Sequence, residues 1–155
     1  MTTDRALRLS QIDELAAEIG WRTSSRFHER LRPYHITISQ YLVLLALDHS
    51  GTSESIKSLC DRTMIPASSM TNTIDRLVEA GLIARAAHPT DRRVSVVTLT
   101  EQGREMALTI QHERKEHISE VFGHLSDDDL DTFARLLQTT LERVDTGIDS
   151  HAAPS

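Results

Sequence analysis

Gly81-Leu82-Ile83-Ala84-Arg85-Ala86-Ala87-His88-Pro89-Thr90-Asp91-Arg92-Arg93-Val94-Ser95-Val96-Val97-Thr98-Leu99-Thr100 decides the fold of this chain. Two short β-prone runs flank a turn that carries adjacent arginines. Alternation at Leu82, Ala84 and Ala86, and again at Val94, Val96 and Thr98, predicts one core-facing side for each run. Pro89-Thr90-Asp91 supplies the turn chemistry between them. The expected object is a β-hairpin with cations at its tip, set directly after a helix.

The helix before the hairpin is predicted to begin at Pro66, a residue preorganised for a first helical turn, and to run to Ala80, with Gly81 as its stop. Met70, Ile74, Leu77 and Val78 form its expected buried stripe. The opposite face carries Ser68, Ser69, Asn72, Thr73 and Arg76. Serine and threonine are mediocre helix formers, so their clustering with Asn on one face is best explained by something that meets that face. A short helix, capped by Ser55 and covering roughly Ile56 to Arg62, precedes it. Helix, turn, helix and hairpin with a cationic tip together predict a winged helix-turn-helix that touches duplex DNA. Its recognition set is Ser68, Ser69, Asn72, Thr73 and Arg76, and its wing set is Asp91, Arg92 and Arg93. Arg93 suits a narrow minor groove, whose negative potential is enhanced, and Arg92 suits phosphate.

Outward from this core, a long first helix is expected from about Arg5 to Leu31, with Ile12, Leu15, Ala16, Ile19, Thr23, Phe27 and Leu31 on one stripe. Pro33 ends it. Thr37-Ile38-Ser39-Gln40 reads as a capping box opening a helix to about His49, which Ser50-Gly51 stops. Beyond the hairpin, Thr100 is expected to cap a helix reaching about Phe122, with Glu101 at its positive end. The middle of that helix, Gln111 to His117, is polar nearly all round and reads as a solvent crossing. A last helix opens at Ser126, with Asp127, Asp128 and Asp129 in its first turn. Leu130, Phe133, Leu137, Leu141 and Val144 give it a stripe that a lone helix cannot bury, so a homodimer is expected. The expected organisation is therefore 1–36 as an N-terminal dimerisation helix, 37–99 as the winged helix-turn-helix, 100–146 as C-terminal dimerisation helices and 147–155 as a disordered tail. The fold class is mainly α with a small β-hairpin wing.

The 155 residues suffice for one domain with an oligomerisation extension, and 4% aromatics with ample aliphatics suit a helical core. One cysteine, Cys60, excludes an intrachain disulfide and reads as a buried core residue. The longest apolar run, Tyr41 to Leu47, is too short for a membrane span, and the N-terminus shows no signal pattern, so a cytoplasmic protein with no membrane partner is expected. The formal charge is −6, yet residues 52–98 hold six basic and five acidic side chains. An acidic body with a neutral-to-basic head permits DNA binding through one face. No phosphate-cradling Gly-rich loop, nucleophile elbow or paired-histidine zinc helix is present, so neither an enzyme nor a cofactor is expected. His112 and His117, with Glu113 and Glu116, make a weak metal constellation, and no metal site is assigned. The alternative to DNA binding is a winged-helix protein–protein interaction module, which would lack the wing-tip cations.

Asp91-Arg92-Arg93, followed after five residues by Leu99-Thr100-Glu101-Gln102-Gly103 and preceded by Arg76-Leu77-Val78-Glu79-Ala80-Gly81-Leu82-Ile83, resembles the MarR family of bacterial transcription regulators. The resemblance covers about Ala6 to Val144. It implies a homodimer whose first and last two helices interlock, with one recognition helix per subunit in the major groove and one wing in the minor groove. It also implies that Asp91 aims Arg93. Regulation, most often repression at a pseudo-palindromic operator, would be relieved by a small, phenolic ligand near Trp21, His28, Tyr34 and Tyr41. The chain has Asn72 where family members often carry Arg, which shifts the expected base preference from guanine to adenine. Cys60 replaces the usual small residue of the short helix, and the first helix lacks the reactive cysteine of peroxide-sensing members.

Overall fold

A computed structural model describes residues 3–87 and 95–149. The elements are α1 (Thr3–Leu31), a 3₁₀ turn (Arg32–Tyr34), α2 (Ile38–Ser50), β1 (Glu54–Ser55), α3 (Ile56–Thr63), α4 (Ala67–Glu79), β2 (Ile83–Ala87), β3 (Ser95–Leu99), α5 (Glu101–Phe122) and α6 (Asp127–Asp149). Contacts divide the chain into two compact units, Met1–Lys115 and Glu116–Ser155. The fold is a winged helix-turn-helix with long flanking helices. None of the described helices is long and apolar enough to cross a membrane.

The capping chemistry falls where the sequence puts it. Thr37 Oγ1 accepts from the Gln40 amide at 3.2 Å, while the Thr37 amide donates to Gln40 Oε1 at 2.8 Å. Gly51, at φ +63°, closes α2 in the left-handed region that disfavours a side chain. Ser55 caps α3 through the Ser58 amide, and Ser126 caps α6 through the Asp129 amide. Pro66 is the cap of α4 and not its first helical residue; its extended ψ of 144° leaves Ala67 to begin the helix. α6 continues to Asp149, past the Thr146 limit expected for it, and residues 150–155 lie outside the described ones.

The core of the first unit gathers Leu44 and Leu47 of α2, Leu59 of α3, Met70, Ile74 and Leu77 of α4, and Ile83 and Val97 of the sheet. Phe27 and Leu31 join it, and the Phe27 ring meets Tyr41 edge to face at 5.5 Å. The α1 stripe therefore divides: its C-terminal end is core, while Ile12, Leu15 and Ile19 remain exposed.

Hairpin facing differs from the expected alternation. Leu82 and Val96 are buried as expected, but Ala84 and Ala86 are exposed, Ile83 and Val97 are buried as well, and Val94 lies outside the described residues. Leu82 precedes the strand, and its amide is taken by the Leu77 carbonyl in the α4–β2 turn. Ile83, Arg85 and Val97 then occupy one face by register, since Ile83 pairs with Leu99 and Arg85 with Val97. The sheet also has a third strand, β1, antiparallel to β3, giving the order β1-β3-β2. Two residues are too few for any period to announce a strand.

The middle of α5 is solvated on one side only: His112, Arg114, Lys115 and Glu116 are exposed, while the other side packs. Gln111 donates to Asp48 at 3.0 Å, Glu113 accepts from Tyr34 at 2.9 Å and from Arg30 at 3.2 Å, and the Arg114 guanidinium lies 5.2 Å from the Phe27 ring centroid. His117 is buried. Gln111, Glu113 and Arg114 each meet a partner on α1, the 3₁₀ turn or α2.

Candidate nucleic-acid interface

The motif after β3 is a joint that fixes the root of the hairpin. The Thr100 hydroxyl donates to the Gly81 carbonyl at 2.7 Å and accepts from the Gly103 amide at 3.0 Å. The Thr100 amide donates to the Leu82 carbonyl at 3.1 Å. A Cβ built on Gly103 would lie 1.8 Å from the Leu82 carbonyl oxygen. Thr and Gly at this spacing thus let α5 start directly against the α4–β2 turn, anchoring both strands to the end of α4.

Along α4, Ser68, Ser69, Asn72 and Arg76 are exposed on one side. With Thr37, Ser39 and Gln40 at the start of α2, they line an open concavity of about 400 Å³. Among the described residues Arg76 makes no ion pair, so its guanidinium is available to an anion in this groove. The N-terminus of α2 adds the positive end of a helix dipole. The groove therefore presents hydroxyls, a carboxamide, a guanidinium and amide donors, a set suited to base edges and phosphate oxygens. Thr37, Ser39 and Gln40 were not among the candidates from sequence. The capping box marked a helix start there, but nothing local shows that this start lies beside α4.

Thr73 lines the same concavity although it is only 7% exposed, and its hydroxyl donates to the Ser69 carbonyl at 2.9 Å. Threonine at the interior edge of a helix can satisfy its hydroxyl on the preceding turn, so its methyl packs inward. Val78, expected in the core, is exposed. Asp91, Arg92 and Arg93 of the wing set lie outside the described residues.

Of the four residues proposed for a small-molecule site, the structure brings two together. Trp21 and His28, with Ser24, Ser25 and Ile38, line a second open concavity of about 290 Å³. Tyr41 is instead buried in the core, and burial pushes its hydroxyl above the usual tyrosine range. Tyr34 is engaged by Glu113, whose hydrogen bond holds the phenol protonated and raises its pKa. Cys60 is half-buried in α3 and packs against the core. Among the described residues no group of three or more His, Cys, Asp or Glu side chains is placed to hold a metal.

A MarR family model matches residues 35–94, which take in α2, β1, α3, α4 and β2 and stop just before β3. An uncharacterised HTH-type transcriptional regulator of Bacillus subtilis, YxaD, is 30% identical over 100 residues, 64% of this chain and 69% of its own. Among solved structures, a MarR family protein from Bacillus stearothermophilus has a TM-score of 0.80 at 23% identity, covering 94% of this chain and 99% of that one. A MarR mutant from E. coli, solved with operator DNA, has a TM-score of 0.73 at 24% identity, with coverages of 86% and 96%. BpsR of Bordetella bronchiseptica, whose DNA binding is regulated by 6-hydroxynicotinic acid, has a TM-score of 0.71 at 23% identity, with coverages of 83% and 91%.

Proposed function

The chain belongs to the MarR family of transcriptional regulators, and from that premise we propose that it is a homodimeric, sequence-specific repressor released from its operator by a small aromatic ligand. The observation that carries the DNA reading is the polar groove in which Ser68, Ser69, Asn72 and Arg76 of α4 face Thr37 and Ser39 of α2. In this reading α4 enters the major groove, Asn72 takes an adenine edge, the α2 N-terminus seats a phosphate, and Asp91, Arg92 and Arg93 serve the adjacent minor groove. The operator-bound E. coli relative shares the fold that this arrangement requires.

Dimerisation follows from surface left uncovered in one chain. Leu7, Leu9, Ile12, Leu15 and Ile19 of α1, and Phe133, Leu136, Leu137, Leu141 and Val144 of α6, are all exposed. Burying both sets across a two-fold axis removes them from water and holds two recognition helices about 34 Å apart, one turn of DNA. In this organisation 1–36 and 100–146 serve dimerisation and 37–99 serves DNA. The concavity at Trp21 and His28 suits a flat ring, with an indole face for stacking and imidazole and serine groups for a polar substituent. A ligand there releases DNA only if it prefers the DNA-incompetent spacing, and operator DNA must then weaken ligand binding by the same factor.

Titration of random duplex DNA against the protein at increasing salt tests the core of this reading. Steep loss of affinity with salt is expected, because phosphate contacts release counterions. Indifference to duplex DNA at low salt refutes it. Sequencing the genomic fragments that the protein retains then identifies the operator.

A further inference from the structure

Three positions lie in one row across the sheet, and its two ends are paired with α3 and α4. Arg85 of β2 pairs in register with Val97 of β3, and Val97 pairs in register with Glu54 of β1. Directly paired residues share a sheet face, so Arg85, Val97 and Glu54 form a transverse row. The two ends of that row are the edge strands, and each is held by charge to a different helix. Arg85 Nη2 lies 2.7 Å from Asp75 Oδ1 of α4. Glu54 takes Arg62 Nη1 of α3 at 2.8 Å through one oxygen and the Ser58 hydroxyl at 2.5 Å through the other. Val97, at the centre, is fully buried.

We propose that Asp75–Arg85 and Glu54–Arg62 form a two-sided clamp that fixes the orientation of the wing root to both helices, and that Arg85 and Arg62 are positioning residues and not DNA-binding cations. The proposal rests on the DNA-binding reading above and refines it. Its physical basis is the placement of two ion pairs on opposite edges of a three-stranded sheet, where a rotation about the β3 axis must stretch one of them. A pair at one edge resists only one sense of that rotation, and the pair at the other edge resists the opposite sense. Exposed ion pairs add little to global stability, so the clamp acts on orientation more than on folding.

The consequence is electrostatic and opposes what composition suggests. Residues 52–98 carry six cations, but Arg62 and Arg85 are engaged within the fold. They therefore release no counterions on binding. The test compares full-length wild type, Arg85→Gln, Arg62→Gln and the charge-swapped Asp75→Arg/Arg85→Asp protein on random duplex DNA over a range of salt. Each single variant is expected to lose about two- to five-fold in affinity per protomer, the range spanned by coupling between exposed pairs. The slope of log affinity against log salt should stay at the wild-type value, and the swapped protein should recover most of the loss. A slope smaller by roughly 0.9 per protomer in Arg85→Gln or Arg62→Gln would show a phosphate contact and overturn the clamp. Failure of the swapped protein to recover, with its thermal midpoint unchanged, would overturn it as well. Absence of salt-dependent binding by the wild type would instead refute the DNA reading itself.

Discussion

Substituting Gly103 by alanine should cost this protein far more than its place in a helix suggests. The added methyl would lie 1.8 Å from the Leu82 carbonyl oxygen and 2.8 Å from its carbonyl carbon, both backbone atoms that no rotamer change can move. Reaching an ordinary contact requires the start of α5 to retreat by more than an ångström. That retreat stretches the Thr100 amide bond to Leu82, now 3.1 Å, and the Thr100 hydroxyl bond to Gly81, now 2.7 Å. Overpacking of this kind costs about 1–3 kcal/mol, and each weakened hydrogen bond about 0.5–1.5 kcal/mol. Against these stands a gain of about 1 kcal/mol from replacing glycine inside a helix. The net expectation is a destabilisation of about 3 kcal/mol, or a fall in Tm of roughly 6–12 °C for a chain of this size. Gly20 of α1 provides the matched control, because a Cβ there meets nothing within 4 Å. Gly20→Ala should raise stability by up to about 1 kcal/mol. Thermal unfolding followed by circular dichroism reads both variants. If Gly103→Ala melts with the wild type, α5 does not need to pass so close to the hairpin root, and the anchoring role assigned to the Leu99-to-Gly103 motif is wrong.

Asn72→Ala should relax base preference at one position per half-site by about 1–3 kcal/mol, whereas Thr73→Val should leave preference intact, since Thr73 is buried; selection from randomised duplexes distinguishes them, and equal effects would refute the division of α4 into faces. Met64 caps α3 at φ +58° with its side chain exposed, so Met64→Gly should stabilise by up to about 1 kcal/mol in chemical denaturation, and a loss would mean that the Met64 side chain has a partner. Both tyrosines titrate above the ordinary value of about 10, Tyr34 through its bond to Glu113 and Tyr41 through burial. The sign follows: each favours the folded state fully below pH 10, and that contribution is lost as pH rises through the raised values. Alkaline absorbance titration should show delayed phenolate formation, and Glu113→Gln should bring one of the two tyrosines back toward its ordinary value; no change would refute the Tyr34–Glu113 contact.

Local signals in the chain were sufficient at Thr37, Gly51, Ser55 and Ser126, while Pro66 proved to be the cap of α4 and not its first residue. Thr37 with Gln40, Ser55, Gly51 and Ser126 act through hydrogen bonds or backbone angles within a few residues, and such chemistry is written in adjacent letters. The helix-turn-helix order, the hairpin after it and the exposed Ser68, Ser69, Asn72 and Arg76 face were legible for the same reason. The tertiary structure decided what depends on partners distant in sequence. It turned Val78 outward and set Thr73 at the border of core and groove, because the core that α4 packs against comes from α2, α3 and the sheet. It added β1, which exists only because β3 offers it an edge. It placed Thr37 and Ser39 beside α4, docked the polar middle of α5 on Asp48, Arg30, Tyr34 and Phe27, and withdrew Tyr41 from any ligand. It also paired Arg62 and Arg85 with Glu54 and Asp75, so that two of the six cations of residues 52–98 are engaged within the fold. Period and capping report the environment a residue asks for; which neighbour supplies it is settled only when the elements pack.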